Sequence, residues 1–172
     1  MHTPSNNMAE RVPDGLVRIV TASAQETEEL GHRLAGILKP GSVLALYGDL
    51  GAGKTVLTRG IARGLGIDEP VTSPTFTIVQ EYACAGGGWF YHLDMYRINC
   101  EEDALAFGIE EFLFTPTAIT VVEWPERIDG LLNDPYASAE SAQRLGIVRI
   151  GHAGQDTRGV KISAHLVPWL AG

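Results

Sequence analysis

Apolar and polar positions along the chain keep two different periods. Residues 16–20 (LVRIV) form a short strand-like run. After it, Ser23 and Glu26 stand at capping-box spacing. Leu30, Leu34, Ile37 and Leu38 then repeat at helical intervals until Lys39-Pro40-Gly41 stops them. Residues 42–47 (SVLALY) are apolar almost without a break, as in a buried strand. A glycine-rich turn follows at 48–53, and Leu57, Ile61 and Leu65 mark one face of a helix predicted over 53–65. Residues 71–76 (VTSPTF) read as a loop kinked at Pro74. Residues 77–82 and 89–95 read as two strands joined by a hairpin connection at 83–88 (ACAGGG). A short helix is predicted over 101–107, a strongly buried strand over 118–124 (AITVVEW), and two closing strands over 145–150 and 160–165. Strand, glycine turn and helix come first, and hairpins and crossovers follow. That order predicts an α/β fold with a mixed sheet, not a purely parallel one. Residues 1–14 read as a loose tail, and no repeat or low-complexity linker interrupts the chain.

Length and composition narrow the class. A chain of 172 residues fits a single domain over 1–172 with a real core. Apolar residues at 45% and charged residues at 20% rule out disorder, collagen and coiled coil as the main state. Thirteen basic against twenty-one acidic residues give a net charge of -8, so the chain has no global attraction for nucleic acid or an anionic membrane. Cys84 and Cys100 are too few for a disulfide framework or a four-cysteine zinc site, and read as reduced thiols. No apolar run approaches the ~20 residues that span a bilayer. The first ten residues lack the apolar core of a signal peptide. The expectation is a soluble, cytoplasmic protein.

Gly48-Asp49-Leu50-Gly51-Ala52-Gly53-Lys54-Thr55 matches G-x-x-x-x-G-K-[ST] in full. A polyphosphate needs several donors converging without steric blockage. Glycines let backbone N–H groups curl round the β-phosphate, and the new helix points its N-terminus at the same anion. Lys54 is suited to bridge β- and γ-oxygens, and Thr55 to ligate Mg²⁺. A bare glycine turn with an incidental lysine is the alternative. The apolar strand before the loop and the amphipathic helix after it weigh against that. The motif predicts a P-loop NTPase, three-layered, with a mixed parallel and antiparallel central sheet.

Such a site needs an acid near Mg²⁺ and a group that orients the attacking water. Glu123 ends the apolar run Ile119-Thr120-Val121-Val122, where a charge is costly unless it is used. Asp94 stands in Phe90-Tyr91-His92-Leu93-Asp94, where alternation puts His92 and Asp94 on one face. For Asp94 a functional acid and a capped strand end stay open. His92 reads more simply as a satisfied histidine than as a catalyst. Ser73-Pro74-Thr75, about twenty residues after the P-loop, is either an ordinary turn or a loop whose hydroxyl senses the γ-phosphate.

Four segments together resemble a known family: YGDLGAGKT at 47–55, TSPTFTIVQEY at 72–82, HLDMYR at 92–97 and VEWPER at 122–127. Their order and spacing resemble TsaE (YjeE), the bacterial ATPase of tRNA threonylcarbamoyladenosine biosynthesis, over roughly residues 23–127, with weaker similarity to the end. The resemblance implies an ATP- and Mg²⁺-dependent ATPase that works with two protein partners, a threonylcarbamoyl transferase and its scaffold paralogue. It implies that tRNA is met only indirectly, and that turnover is weak alone and stimulated by the partners. It implies roles for Lys54 and Thr55 on phosphate and Mg²⁺, for Thr75 as the switch-loop hydroxyl and for Glu123 as the Mg²⁺-side acid. Asp94 would be a catalytic acid near the γ-phosphate. Which acid orients the water stays open. Ser23 and Arg158 would lie by the adenine.

A small-molecule P-loop kinase is the chief alternative. It would need arginines gathered on a lid, yet Arg97, Arg127, Arg144, Arg149 and Arg158 are scattered. A guanine-reading switch would need an N/T-K-x-D motif, and neither Lys39 nor Lys161 is placed for one. A binding module with a dead nucleotide site is opposed by intact Lys54, Thr55 and Glu123.

Overall fold

A computed structural model describes residues 10–133 and 139–170. Among them, eight strands form one sheet: β1 (Glu10–Arg11), β2 (Leu16–Thr21), β3 (Val43–Tyr47), β4 (Val79–Ala83), β5 (Trp89–Asp94), β6 (Ala118–Glu123), β7 (Leu145–His152) and β8 (Arg158–Ser163). Their spatial order is β1-β2-β8-β7-β3-β6-β5-β4. β3 pairs in parallel with β6 and β7, and β5 in parallel with β6; the remaining pairs are antiparallel. The sheet is mixed, as the sequence pattern predicts, and its parallel part is the centre.

Two helical layers cover it. α1 (Ala24–Ala35) and α2 (Lys54–Gly64) lie on one face, over a core that includes Leu34, Leu44, Leu46, Leu57, Ile61 and Val121. α1 starts as predicted. The Ser23 hydroxyl accepts from the Glu26 N–H at 3.1 Å, and the Glu26 carboxylate reaches back to the Ala22 N–H at 2.7 Å. Thr21 and Thr27 share a buried 2.7 Å hydroxyl bond that ties β2 to α1. On the other face, α3 (Glu101–Ala106), the 3₁₀ turns Ile109–Glu111 and Pro125–Ile128, and α4 (Asp129–Leu132) pack over Val43, Ala45, Leu93 and Val122. α5 (Ala139–Arg144) leads into β7.

Several boundaries differ from expectation: β7 runs on to His152, and β8 spans Arg158–Ser163, two residues earlier at each end, with a 3₁₀ turn after it. α1 stops at Ala35, because Gly36 caps it and the Ile37 and Leu38 N–H groups turn back onto the Leu34 carbonyl. β4 begins at Val79, two residues late, because Thr77 and Ile78 donate to the Pro74 carbonyl and stay in the loop's turn. β6 ends at Glu123, since Trp124 adopts φ 57 and opens a 3₁₀ turn. Glu10 and Arg11, read as tail, pair with β2; residues 1–9 lie outside the described chain. Among the described residues, no helix is long and apolar enough to cross a membrane.

Candidate nucleotide site

The site is assembled by strand register. Leu46, the penultimate residue of β3, lies opposite Glu123, and Glu123 lies opposite Asp94. Partners across a sheet project to the same face. Both carboxylates therefore stand at the carboxyl ends of parallel strands, beside the loop that leaves β3. This is where open α/β sheets bind ligands. The loop turns into α2 through Gly53, whose φ of 110° suits glycine and which caps the helix with no side chain, so the first amides of α2 keep no side-chain cap.

Lys54 is 5% exposed. Its ammonium donates to the carbonyls of Gly48 and Asp49, the latter at 3.0 Å, and sits 4.2 Å from the centroid of the Trp124 ring. Two of its three N–H groups are thus committed and one remains for an anion. Burial pushes its pKa down; the charges of Glu123, Glu126, Asp94 and Asp49 oppose that shift.

Glu123 and Asp94, each 3% exposed, have different neighbours. Glu123 Oε1 accepts from Thr55 Oγ1 at 3.2 Å and lies 2.9 Å from His92 Nε2. Asp94 Oδ2 accepts from the Ser73 hydroxyl at 2.7 Å and the Thr75 hydroxyl at 3.2 Å. Its Oδ1 accepts from the Tyr96 N–H at 2.9 Å. Glu123 is joined to the P-loop helix, and Asp94 to the 71–76 loop. Between them runs a cleft of about 320 Å³ lined by Lys54, Thr55, Thr75, Asp94, Glu123 and Trp124, together with Leu50, Gly51, Ala52 and Gly53.

The donor set suits a small hard cation. Thr55 and Glu123 offer oxygens, and no group of three or more His, Cys, Asp or Glu side chains gathers among the described residues. A cation here would take its other ligands from phosphate and water, as Mg²⁺ does.

A family model described as "Threonylcarbamoyl adenosine biosynthesis protein TsaE" matches residues 21–150. This chain belongs to the TsaE family. A TsaE relative from Bacillus subtilis, named a tRNA threonylcarbamoyladenosine biosynthesis protein, is 42% identical over 144 residues, covering 84% of this chain and 83% of its own. A Synechocystis TsaE of the same description is 47% identical over 110 residues, covering 61% and 68%. The crystal structure of Bacillus subtilis YdiB superposes with a TM-score of 0.70 at 31% identity, over 95% of this chain and 96% of that one.

Most of the residues singled out in this TsaE sequence meet in the cleft. Gly48 and Asp49 touch Lys54 through their carbonyls but line a separate groove on the opposite face of the sheet. Ser23 is occupied as the cap of α1 and does not line the cleft; Arg158 lies beside Gly53. Sequence reasoning read His92 as a satisfied histidine, gave Trp124 no role beyond the strand 118–124 and gave Ser73 no separate role. Alternation already placed His92 on the face of Asp94. The Trp124 position depends on a backbone turn that no periodicity signals.

Proposed function

We propose that this chain is the ATPase subunit of the machinery that installs threonylcarbamoyl on adenosine 37 of tRNA. It binds and hydrolyses Mg·ATP in a complex with the threonylcarbamoyl transferase and its scaffold paralogue, and meets tRNA only through them. Family membership and the relatives' names support the pathway. The observation that carries the hydrolytic reading is the register Leu46–Glu123–Asp94, which sets two buried carboxylates beside a phosphate-binding lysine and threonine.

In this reading the α2 amides and the remaining Lys54 N–H hold the phosphates. Thr55 and Glu123 are the protein ligands of Mg²⁺, which would neutralise charge on the phosphate oxygens. Asp94 gathers Ser73 and Thr75, so the 71–76 loop and the carboxylate face the γ-phosphate together, and Asp94 orients the water. Among the described residues no arginine lines the cleft, so the isolated protein turns over slowly and a partner supplies order or charge.

The test is steady-state phosphate release from Mg·ATP, alone and with both partner proteins and tRNA, with GTP as control and Lys54→Ala as blank. Slow release that the partners stimulate is expected. Brisk release indifferent to the partners would place the ATPase in another machine. ATP binding with no hydrolysis in any mixture would return the reading to a kinase or a dead nucleotide site.

A further inference from the structure

The helical layer over Val43, Ala45, Leu93 and Val122 contains no residue of β2 or β8. On the sheet face away from α1 and α2, register aligns Arg18 with Lys161, Lys161 with Arg149, and Arg149 with Tyr47. Three cations and a tyrosine therefore form one row across β2, β8, β7 and β3. At about 4.8 Å per strand the cations span roughly 10 Å. Arg18 and Arg149 are exposed, and neither has an ion-pair partner among the described residues. Arg149 lies 4.4 Å over the Tyr47 ring. In the next row Gly159 lies opposite Gly151, so bare backbone flanks the cations. The row and these glycines line a groove of about 380 Å³.

We propose that this groove docks an acidic segment of a protein partner, presenting two or three carboxylates to Arg18, Lys161 and Arg149. Three cations on one patch, two of them without an ion-pair partner among the described residues, are unusual in a chain of net charge -8 and fit an anionic occupant. Three features favour carboxylates over an RNA backbone. The chain already sets a carboxylate of its own, Asp14, 3.8 Å from Lys161. The Tyr47 end is closed by acids: Asp129 accepts from the Tyr47 hydroxyl at 2.9 Å, and Asp49 lines the groove. A phosphate backbone running on past about 10 Å would meet them, and the net charge repels a long polyanion. Arginine forks pair with carboxylates through two hydrogen bonds, which gives a short acidic segment enough purchase. The occupant would lie against Gly48 and Asp49, on the far side of the sheet from the acids of the nucleotide cleft.

The experiment titrates labelled Glu-rich peptide into the full chain by fluorescence anisotropy, with a Gln-rich peptide and a tRNA transcript as parallel probes. Wild type is compared with Arg18→Glu/Arg149→Glu and with the milder Arg18→Ala/Lys161→Ala; thermal melts and ATP-analogue binding check folding. Expected are salt-sensitive binding of the Glu-rich peptide alone, at least about tenfold weaker in the charge-reversed variant, with ATP-analogue binding unchanged. Preferential tRNA binding overturns the proposal in favour of RNA. Equal peptide binding by folded variants, or no peptide binding by wild type, overturns it outright. None of these outcomes bears on ATP hydrolysis.

Discussion

Glu123 Oε1 receives a hydroxyl from the P-loop helix and an imidazole from β5, and each bond constrains it. Against a carboxylate the Nε2 of His92 is the donor, and its Nδ1 is buried with no hydrogen-bond partner among the described residues. An orphaned buried polar atom costs stability, and here it accompanies the aiming of Glu123. His92→Gln is therefore expected to keep the fold and metal-free ATP-analogue binding. The Mg²⁺ concentration for half-maximal hydrolysis should rise about tenfold, as when a partner behind a metal ligand is lost. Unchanged Mg²⁺ dependence would reduce His92 to packing. Glu123→Ala should abolish hydrolysis and leave part of the nucleotide affinity, as read by phosphate release and calorimetry side by side. Lys54 and Thr55 were legible from the G-x-x-x-x-G-K-T motif, and Glu123 as a charge ending an apolar run; Asp94 stayed open on pattern alone, and only the family resemblance gave it a role. His92 was not legible, because a lone histidine in a strand has many uses and only its distance to Glu123 singles out one.

At the scale of elements, the two helices beneath the P-loop meet through glycines. A Cβ added at Gly60 would overlap the Glu28 carbonyl, and one at Gly31 the Leu57 carbonyl. Backbone cannot give way as a flexible side chain does. Gly60→Ala should lower stability by about 2 kcal/mol in urea titration, with Gly86→Ala, which meets nothing within 4 Å, as the neutral control. This seam had no sequence signature beyond glycines inside a helical pattern. A second link joins β3 to the opposite layer. Burial first, and then the hydrogen bond to Asp129, raise the Tyr47 pKa to about 12. In the unfolded chain the phenol ionises near its ordinary value of 10.0, so this contribution is intact below about pH 10 and is lost as pH rises towards 12. Tyr47→Phe should flatten that part of the alkaline limb, seen as a smaller change in urea midpoint between pH 10 and 12 than in wild type. β3, β6 and α2 were legible from periodicity because they are strongly patterned, whereas β1, α4 and α5 were not expected. Boundaries slipped where backbone turns decided them, as at Ile78 and Trp124, both with positive φ.

For the whole molecule, local pattern gave the mixed sheet but not its strand order, since register between distant segments leaves no mark in any window. That order matters most around β3. The strand that launches the P-loop faces Thr120 to Glu123 on one side and Leu145 to Arg149 on the other. Val43 and its partner Leu145 are about a hundred residues apart in sequence, so closing that pair carries a large loop entropy and slows folding. A nascent chain that has emerged only to residue 133 holds the complete G-x-x-x-x-G-K-T motif, Asp94 and Glu123, yet lacks one neighbour of β3. Such a truncated chain should fail to retain a fluorescent ATP analogue, and the full chain should gain that ability in a single slow phase on refolding. Nucleotide binding thus becomes a checkpoint of synthesis: the motif is translated well before β7, but competence waits for that strand.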